Sequence, residues 1–382
     1  MAKTYLITFT PVDTFFFGGS VSFADEYYVQ SAKFPIPSTV LGALRASLLI
    51  HKGYLLQQKN GRYIPKEYRE PAVALTGSSF LNTFDASEPD FGIIEKISPC
   101  FLVKKDLTNA YFPVPNDIVK LKSDGQFHQT YFDFVKGLAS NCSKRLDTIP
   151  LWKLKNNDNP LKSKDMDIYG TFFGGTDFWH HYNEKSVYND IIDLDTIFHP
   201  HPQVGIALEN RQAKDGAFYV KTDFTLDGHY AFAVIAHFKN DPAFTKRVVM
   251  GGEQSVFEID CIPCHTDQNH AVESHPIVQS LIAKDSWHEM YSEKQVAISP
   301  LIAEKDLFKS DTFSHILSHK MGTVRMLNSI TDKKGQMHHG PNLKTDAWKI
   351  IPAGAVFYLT QPGHLPLISG VPDLIGYNSV LG

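Results

Sequence analysis

The chain has 382 residues, 43% of them apolar, 20% charged and 12% aromatic, with a formal net charge of −4. That length exceeds one small core and makes two domains the expectation, while the acidic balance excludes a free-standing, non-specific nucleic-acid binder, which would be basic. Four cysteines exclude a disulfide framework, and no apolar run is long enough to span a bilayer, so a cytoplasmic protein that touches any polyanion only locally is expected.

Residues 4–10 alternate and are rich in β-formers, so they read as the first strand, ended by Pro11-Val-Asp13. Phe15-Phe16-Phe17-Gly18-Gly19 follows. Pro35 and Pro37 then hold an extended approach to a helix over 38–51, with Ser38 or Thr39 as its cap and Gly42 and Arg45 in its first turn. A helix start has free N–H groups and favours an anion. Gly42 would let a second backbone approach, and Arg45 offers a planar fork of donors to phosphate. The alternative is an ordinary capped helix with Arg45 in solvent.

Residues 52–200 are less regular, with β-like pieces at 97–103 and 110–113, and read as an elaborated insertion. Within 136–165, seven basic residues face three aspartates around Trp152. This is either a flexible thumb over a polyanion or a solvated loop. Strands are expected at 204–209, 217–224, 229–238 and 255–261, with a short helix over 242–250 stopped by Gly251-Gly252. The order strand, helix, strand, strand, helix, strand is ferredoxin-like. A polar linker over 266–274, a helix over 276–291 and strands at 295–302, 323–331 and 355–360 suggest a second, smaller unit of similar type.

Two further clusters carry possible chemistry. Cys261-Ile-Pro-Cys264-His265 with His270 and His275 offers zinc-type ligands, but the spacing fits no common finger, and a plain linker is the simpler reading. Seventeen histidines include His180-His181, His199-Pro-His201 and His338-His339, yet none stands at telling distance from a nucleophile or second base. No P-loop, H-E-x-x-H or G-x-S-x-G motif occurs.

Pro11-x-Asp13-x-Phe15-Phe16-Phe17 followed by Pro35-x-Pro37-Ser38-Thr39-x-x-Gly42-Ala43-Leu44-Arg45 resembles the opening of the third subunit of the type III-B CRISPR effector, the Cmr complex, in the RAMP superfamily. Phe112-Pro113-x-Pro115-x-Asp117, Val204–Leu208 with Asp215–Tyr219, Met250-Gly251-Gly252-Glu253 and Pro352–Tyr358 continue the resemblance in family order. It implies an α+β fold of tandem modified ferredoxin-like (RRM-like) domains, here 1–265 with the insertion at 52–200, and 266–382. It implies a non-catalytic subunit that takes no cofactor or metal. Such a subunit holds the 5′ repeat-derived handle of the CRISPR RNA and bridges the large polymerase-like subunit to the backbone RAMP subunits. The RNA contacts implied are Phe17, Ser38, Thr39, Gly42, Arg45, Gly251, Gly252 and Gln254. Two positions where the family usually carries arginine, after the Phe pair and after the Gly-Gly-Glu turn, hold Phe17-Gly18-Gly19 and Gln254-Ser255 instead. A His-dependent RAMP endoribonuclease, a protein-only scaffold and the type III-A counterpart are the alternatives.

Overall fold

The computed structural model describes residues 3–18, 28–58, 61–77, 89–136, 148–154, 157–167, 171–209, 212–264, 270–283, 294–304, 307, 312–319, 321–324, 348–361, 365–368 and 370–381. It is a strand-rich mixed α/β protein with several sheets. At its centre β1 (Lys3–Pro11) lies between two antiparallel neighbours. The segment expected at 229–238 is one of them and the segment expected at 255–261 is the other. β1 alternates as predicted: Ile7 and Phe9 enter one core cluster and Leu6 the other. The sheet is therefore covered on both faces.

β2 (Tyr28–Gln30) is a short strand outside this sheet. α1 (Pro37–His51) packs Val40, Leu41, Leu44 and Leu48 into the core cluster that holds Ile7 and Phe9. It begins one residue before the expected start, because Pro37 occupies the first helical position, where a fixed φ and a missing N–H cost nothing. Its cap is Ile36, in the extended conformation a following proline imposes, and no side chain caps it. Neither Ser38 nor Thr39 is the cap, then. α2 (Arg69–Thr76) packs beside it.

The stretch 52–200 is not an elaboration outside the core. β3 (Ile94–Ile97), β4 (Phe101–Lys104), β5 (Ala110–Pro113), β6 (Phe172–Gly174) and β7 (Ile191–Asp193) all join the central sheet. Burial explains this: Phe101, Leu102, Val103, Ala110 and Phe112 are fully buried, a density no solvated insertion carries. Strands Ile118–Leu121, Phe127–Lys136 and Thr148–Leu154 build a second sheet from the same stretch. Of the proposed basic thumb, residues 137–147 and 155–156 lie outside the described residues.

β8 (Phe198–Glu209) and β9 (Gln212–Leu226) are longer than predicted and form a ribbon, with β2 parallel to β9. β10 (Tyr230–Phe238) is buried along nearly its whole length. The helix expected over 242–250 is absent. Val248 and its neighbours form β11 (Arg247–Val249) against β12 (Val256–Pro263), since β-branched residues beside an open edge favour pairing over a helical turn.

α3 (Pro276–Ala283) packs on the sheet, where the buried His237 bonds the Leu281 carbonyl at 2.9 Å. β13 (Lys294–Ala297), β14 (Phe313–Leu317), β15 (Val356–Leu359) and β16 (Val380–Leu381) form a four-stranded sheet. The expected helix residues 284–291 and strand residues 325–331 lie outside the described residues. Both main core clusters contain residues from either side of position 265, such as Val296 with Leu6 and Tyr377 with Phe9. No helix among the described residues is long and apolar enough to cross a membrane.

Candidate nucleic-acid interface

The start of α1 is a weaker anion site than its sequence suggests. Pro37 has no N–H, and the N–H groups of Thr39 and Val40 both donate to the Ile36 carbonyl, at 2.9 and 3.4 Å. Ser38 faces the hydroxyl of Tyr377. That phenol is pushed up to about 12 by burial, and it lies near enough to Ser38 to feel its side chain and N–H without completing a hydrogen bond of ordinary geometry. The helix dipole remains, but of the first-turn donors Pro37 has none and those of Thr39 and Val40 are spent, which leaves the Ser38 N–H beside the Tyr377 phenol.

Arg45 is not in the first turn. Eight residues past Pro37, it stands about 12 Å along the axis. Its Nη2 donates to the Gly77 carbonyl at the end of α2 (3.1 Å), and burial pushes the guanidinium down to about 10, opposed by nearby Asp90. It ties α1 to α2 instead of presenting a fork to a ligand. Gly42 is exposed, with nothing within 4 Å of where a Cβ would stand, so no described part of the protein uses its missing side chain.

Beside the helix start lies an apolar cleft of about 280 Å³, lined by Phe34, Pro35, Pro37, Pro113, Pro115 and Pro300 among others. Lys33 stands at it, paired with Asp195 and bonded to Thr171. The cleft brings together the approach to α1, the Phe-Pro-x-Pro segment of β5 and the C-terminal part of the chain, which no sequence spacing discloses.

The free donors lie elsewhere, at the Gly-Gly-Glu turn. Residues 251–254 are all exposed, and Gly251, Glu253 and Gln254 have positive φ of 90, 53 and 57°. The turn is stitched to the phenylalanine loop. The Gly252 N–H donates to the Phe16 carbonyl (2.7 Å), and the Ser255 hydroxyl accepts from the Phe16 N–H (3.0 Å). A Cβ on Gly251 would come within 2.6 Å of that carbonyl oxygen. The N–H groups of Gly251, Glu253 and Gln254 make no hydrogen bond to described protein atoms. Three outward donors on a turn of left-handed residues suit an anion.

Phe15 and Phe16 are core residues. Phe17 is half-buried, stacked on Phe257 at 5.7 Å, with one side towards the turn.

Sequence reasoning missed Lys221. Its Nζ lies 3.2 Å from Asp223 Oδ2, 3.6 Å from Glu253 Oε2 and 5.5 Å from the Phe16 ring centre, and only 11% of its side chain is exposed. It neutralises the turn's carboxylate and leaves the outward N–H groups less opposed. Lys-x-Asp on one face of a strand was the available signal, but its partner is more than 30 residues away in sequence.

The cysteine–histidine cluster does not assemble among the described residues. Cys261 and Cys264 pack against different core clusters, and burial pushes both thiols up to about 12. No described group of three His, Cys, Asp or Glu could hold a metal ion. His265, like His338 and His339, lies outside the described residues.

A comparison with protein-family models matches residues 7–370 to the CRISPR-associated protein family Cas_Cmr3. A search of curated proteins returns no significant match. Among solved structures, the chain is similar to one in the cryo-EM structure of the type III-B Cmr-beta bound to cognate target RNA. That match has 13% identity, covers 93% of this chain and 86% of that one, and has a TM-score of 0.43. It is also similar to a chain of the Csm3–Csm4 subcomplex of the type III-A CRISPR-Cas interference complex, with 10% identity, 94% of both chains covered and a TM-score of 0.37.

Proposed function

The chain belongs to the Cas_Cmr3 family of CRISPR-associated proteins, and on that premise we propose that it is a non-catalytic, RNA-binding subunit of a type III-B effector complex in the cytoplasm. It anchors the 5′ repeat-derived handle of the CRISPR RNA and bridges the large polymerase-like subunit to the backbone RAMP subunits. The family match over residues 7–370 carries this reading. The handle's backbone is held first at the Gly-Gly-Glu turn, where three N–H groups point outward, with Gln254 available to phosphate or a base edge. Phe17 borders that turn, and the exposed Gly42 marks where RNA can come close to α1. The proline-lined cleft beside Pro37 offers a flat apolar slot for an unstacked base.

The finer fold reading is a pair of modified ferredoxin-like units, 1–265 and 266–382. It is supported in the first unit by the order β10-β1-β12, all antiparallel, with α1 following β1. The second helix of that motif is replaced by β11.

Sequencing the RNA that co-purifies with the protein and its neighbours tests the assignment. A uniform 5′ repeat-derived tag is expected, with crosslinks at 15–18 and 251–254; random RNA or no crosslink there refutes the handle role. The non-catalytic reading fails if repurified protein cleaves labelled repeat RNA and one histidine substitution abolishes the cleavage. Gly42→Ala separates fold from contact. It adds up to about 1 kcal/mol to helix stability and weakens RNA binding only where the ligand approaches that backbone.

A further inference from the structure

The ribbon of β8 and β9 ends its sheet on the β8 side: the order is β8-β9-β2, and no described strand pairs with the outer edge of β8. The direction of that edge's hydrogen-bonding groups is fixed by what β9 does on its other side. The N–H and C=O of Phe224 are both taken by Phe15 (3.1 and 2.8 Å), and the Thr222 carbonyl accepts from the Ser31 N–H (2.9 Å). Phe224 and Thr222 therefore turn their backbone groups away from β8. Their partners there are Pro200 and Pro202, which by the antiparallel alternation turn theirs outward. The register runs unbroken from Phe198 to Ile206, so Val204, opposite Val220, and Ile206, opposite Phe218, also face outward.

The edge thus has two halves. Along its first half the outward positions are prolines, which have no N–H to offer and block an added strand. From Val204 on, the outward donors and acceptors have no partner among the described strands, with a bulge between Ile206 and Leu208 shifting the register by Glu209. Val204 is also 65% exposed, the largest exposure among the exposed large hydrophobics described. It heads a cross-strand row, Val204, Val220 and Tyr28, with Tyr28 49% exposed. The reverse face is polar: Gln203 donates to Asp223 Oδ2, which also binds Lys221, while Asp223 Oδ1 is buried with no partner among the described residues.

We propose that the outer edge of β8 from Val204 to Glu209 is a docking edge for an extended segment of a neighbouring protein subunit, which adds a strand to this sheet. Donors and acceptors alternating at strand spacing are matched by another extended polypeptide and by no phosphate backbone. Lys221, opposite Gln203, is held by carboxylates on the other face. The incoming segment alternates, with an apolar side chain beside Val204 and a polar one beside Gln203. The inference rests on the assembly reading above.

The test compares the full-length protein alone and co-expressed with the other subunits of its effector complex. Backbone hydrogen exchange over 203–209 is expected to slow about tenfold or more on assembly. Val204→Pro, which continues the proline pattern and removes only an outward N–H, is expected to lose this protection and co-purify at least about tenfold less. Val204→Thr, which keeps the N–H and the β-branch, co-purifies like the wild type. A melting curve for Val204→Pro matching that of the wild type shows that its own ribbon is intact. Wild type that co-purifies while 203–209 stays unprotected overturns the docking edge alone. Protection given by CRISPR RNA without other subunits, or by dimerisation of the isolated protein, overturns it in favour of RNA or a second copy. Wild type that fails to co-purify at all overturns the assembly reading and this inference with it.

Discussion

His275 shows how one buried side chain sets a pH dependence. Its Nδ1 accepts the Ile277 N–H at 3.1 Å, closing the start of α3, while Nε2 is buried without a partner among the described residues. Burial holds the imidazole down at about 3, against an ordinary value of 6.5, with nearby His180 adding to the effect. The unfolded chain therefore binds one more proton than the folded one between those values, and stability is lost as pH falls below about 6.5. The slope from this group approaches about 1.4 kcal/mol per pH unit. Urea titrations from pH 7 to 4.5 should show it, and His275→Asn should flatten it. Arg45 belongs to the same scale. Arg45→Ala leaves the Gly77 carbonyl without this donor and is expected to cost about 1–3 kcal/mol, read as a lower melting temperature in protein free of RNA. Wild-type stability with lost handle binding would instead return Arg45 to the ligand.

Among elements, the Gly-Gly-Glu turn and α1 exchange the roles their sequences suggest. α1 looked like the anion site because a proline-led helix start is easy to read. Pro37 has no donor, and the N–H groups of Thr39 and Val40 are consumed by the Ile36 carbonyl. The turn is expected to stop a helix and, by the resemblance, to contact RNA, yet there is no helix before it. What it stops is β11, and the N–H groups of its exposed, positive-φ residues Gly251, Glu253 and Gln254 have no partner among the described residues. Gly251→Ala should be costly, since φ is +90° and the new methyl would press on the Phe16 carbonyl. A loss of about 1–3 kcal/mol in thermal or chemical denaturation is expected, together with exposure of the phenylalanine loop to protease. Gly42→Ala, by contrast, should leave the fold at least as stable.

Across the whole molecule, a buried polar hub joins the middle of the chain to its C-terminal part. Asp117, fully buried, accepts from Lys294 (2.6 Å) and from the single O–H of Tyr182, which lies 3.1 Å from both carboxylate oxygens, while the Lys294 ammonium lies 4.5 Å from the centre of the Tyr182 ring. Removing one member strands a charge. Lys294→Met is expected to destabilise by about 3–5 kcal/mol, and combining it with Asp117→Leu should restore much of that. A double-mutant cycle in urea measures the coupling. If the single and double variants are equally unstable, the hub is not what couples the two parts.

Local pattern determined much of this protein by itself. Alternation placed β1, the runs 229–238 and 255–261 read as the strands that became β10 and β12, the proline-led approach placed α1, and the ordered motifs from Pro11 to Tyr358 carried the family resemblance that the match over 7–370 bears out. These features are short-range, so neighbouring residues suffice to write them. Tertiary structure alone decided the rest. The stretch 52–200 turned out to be core because strands far apart in sequence complete one sheet. Arg247–Val249, within the helix expected over 242–250, took strand because β12 offered an edge. Arg45 was drawn to Gly77, and the free N–H groups came to lie at 251–254 rather than at α1. In each case the outcome turned on which partner satisfied a backbone or charged group, and those partners lie tens to hundreds of residues away. No window of sequence contains them.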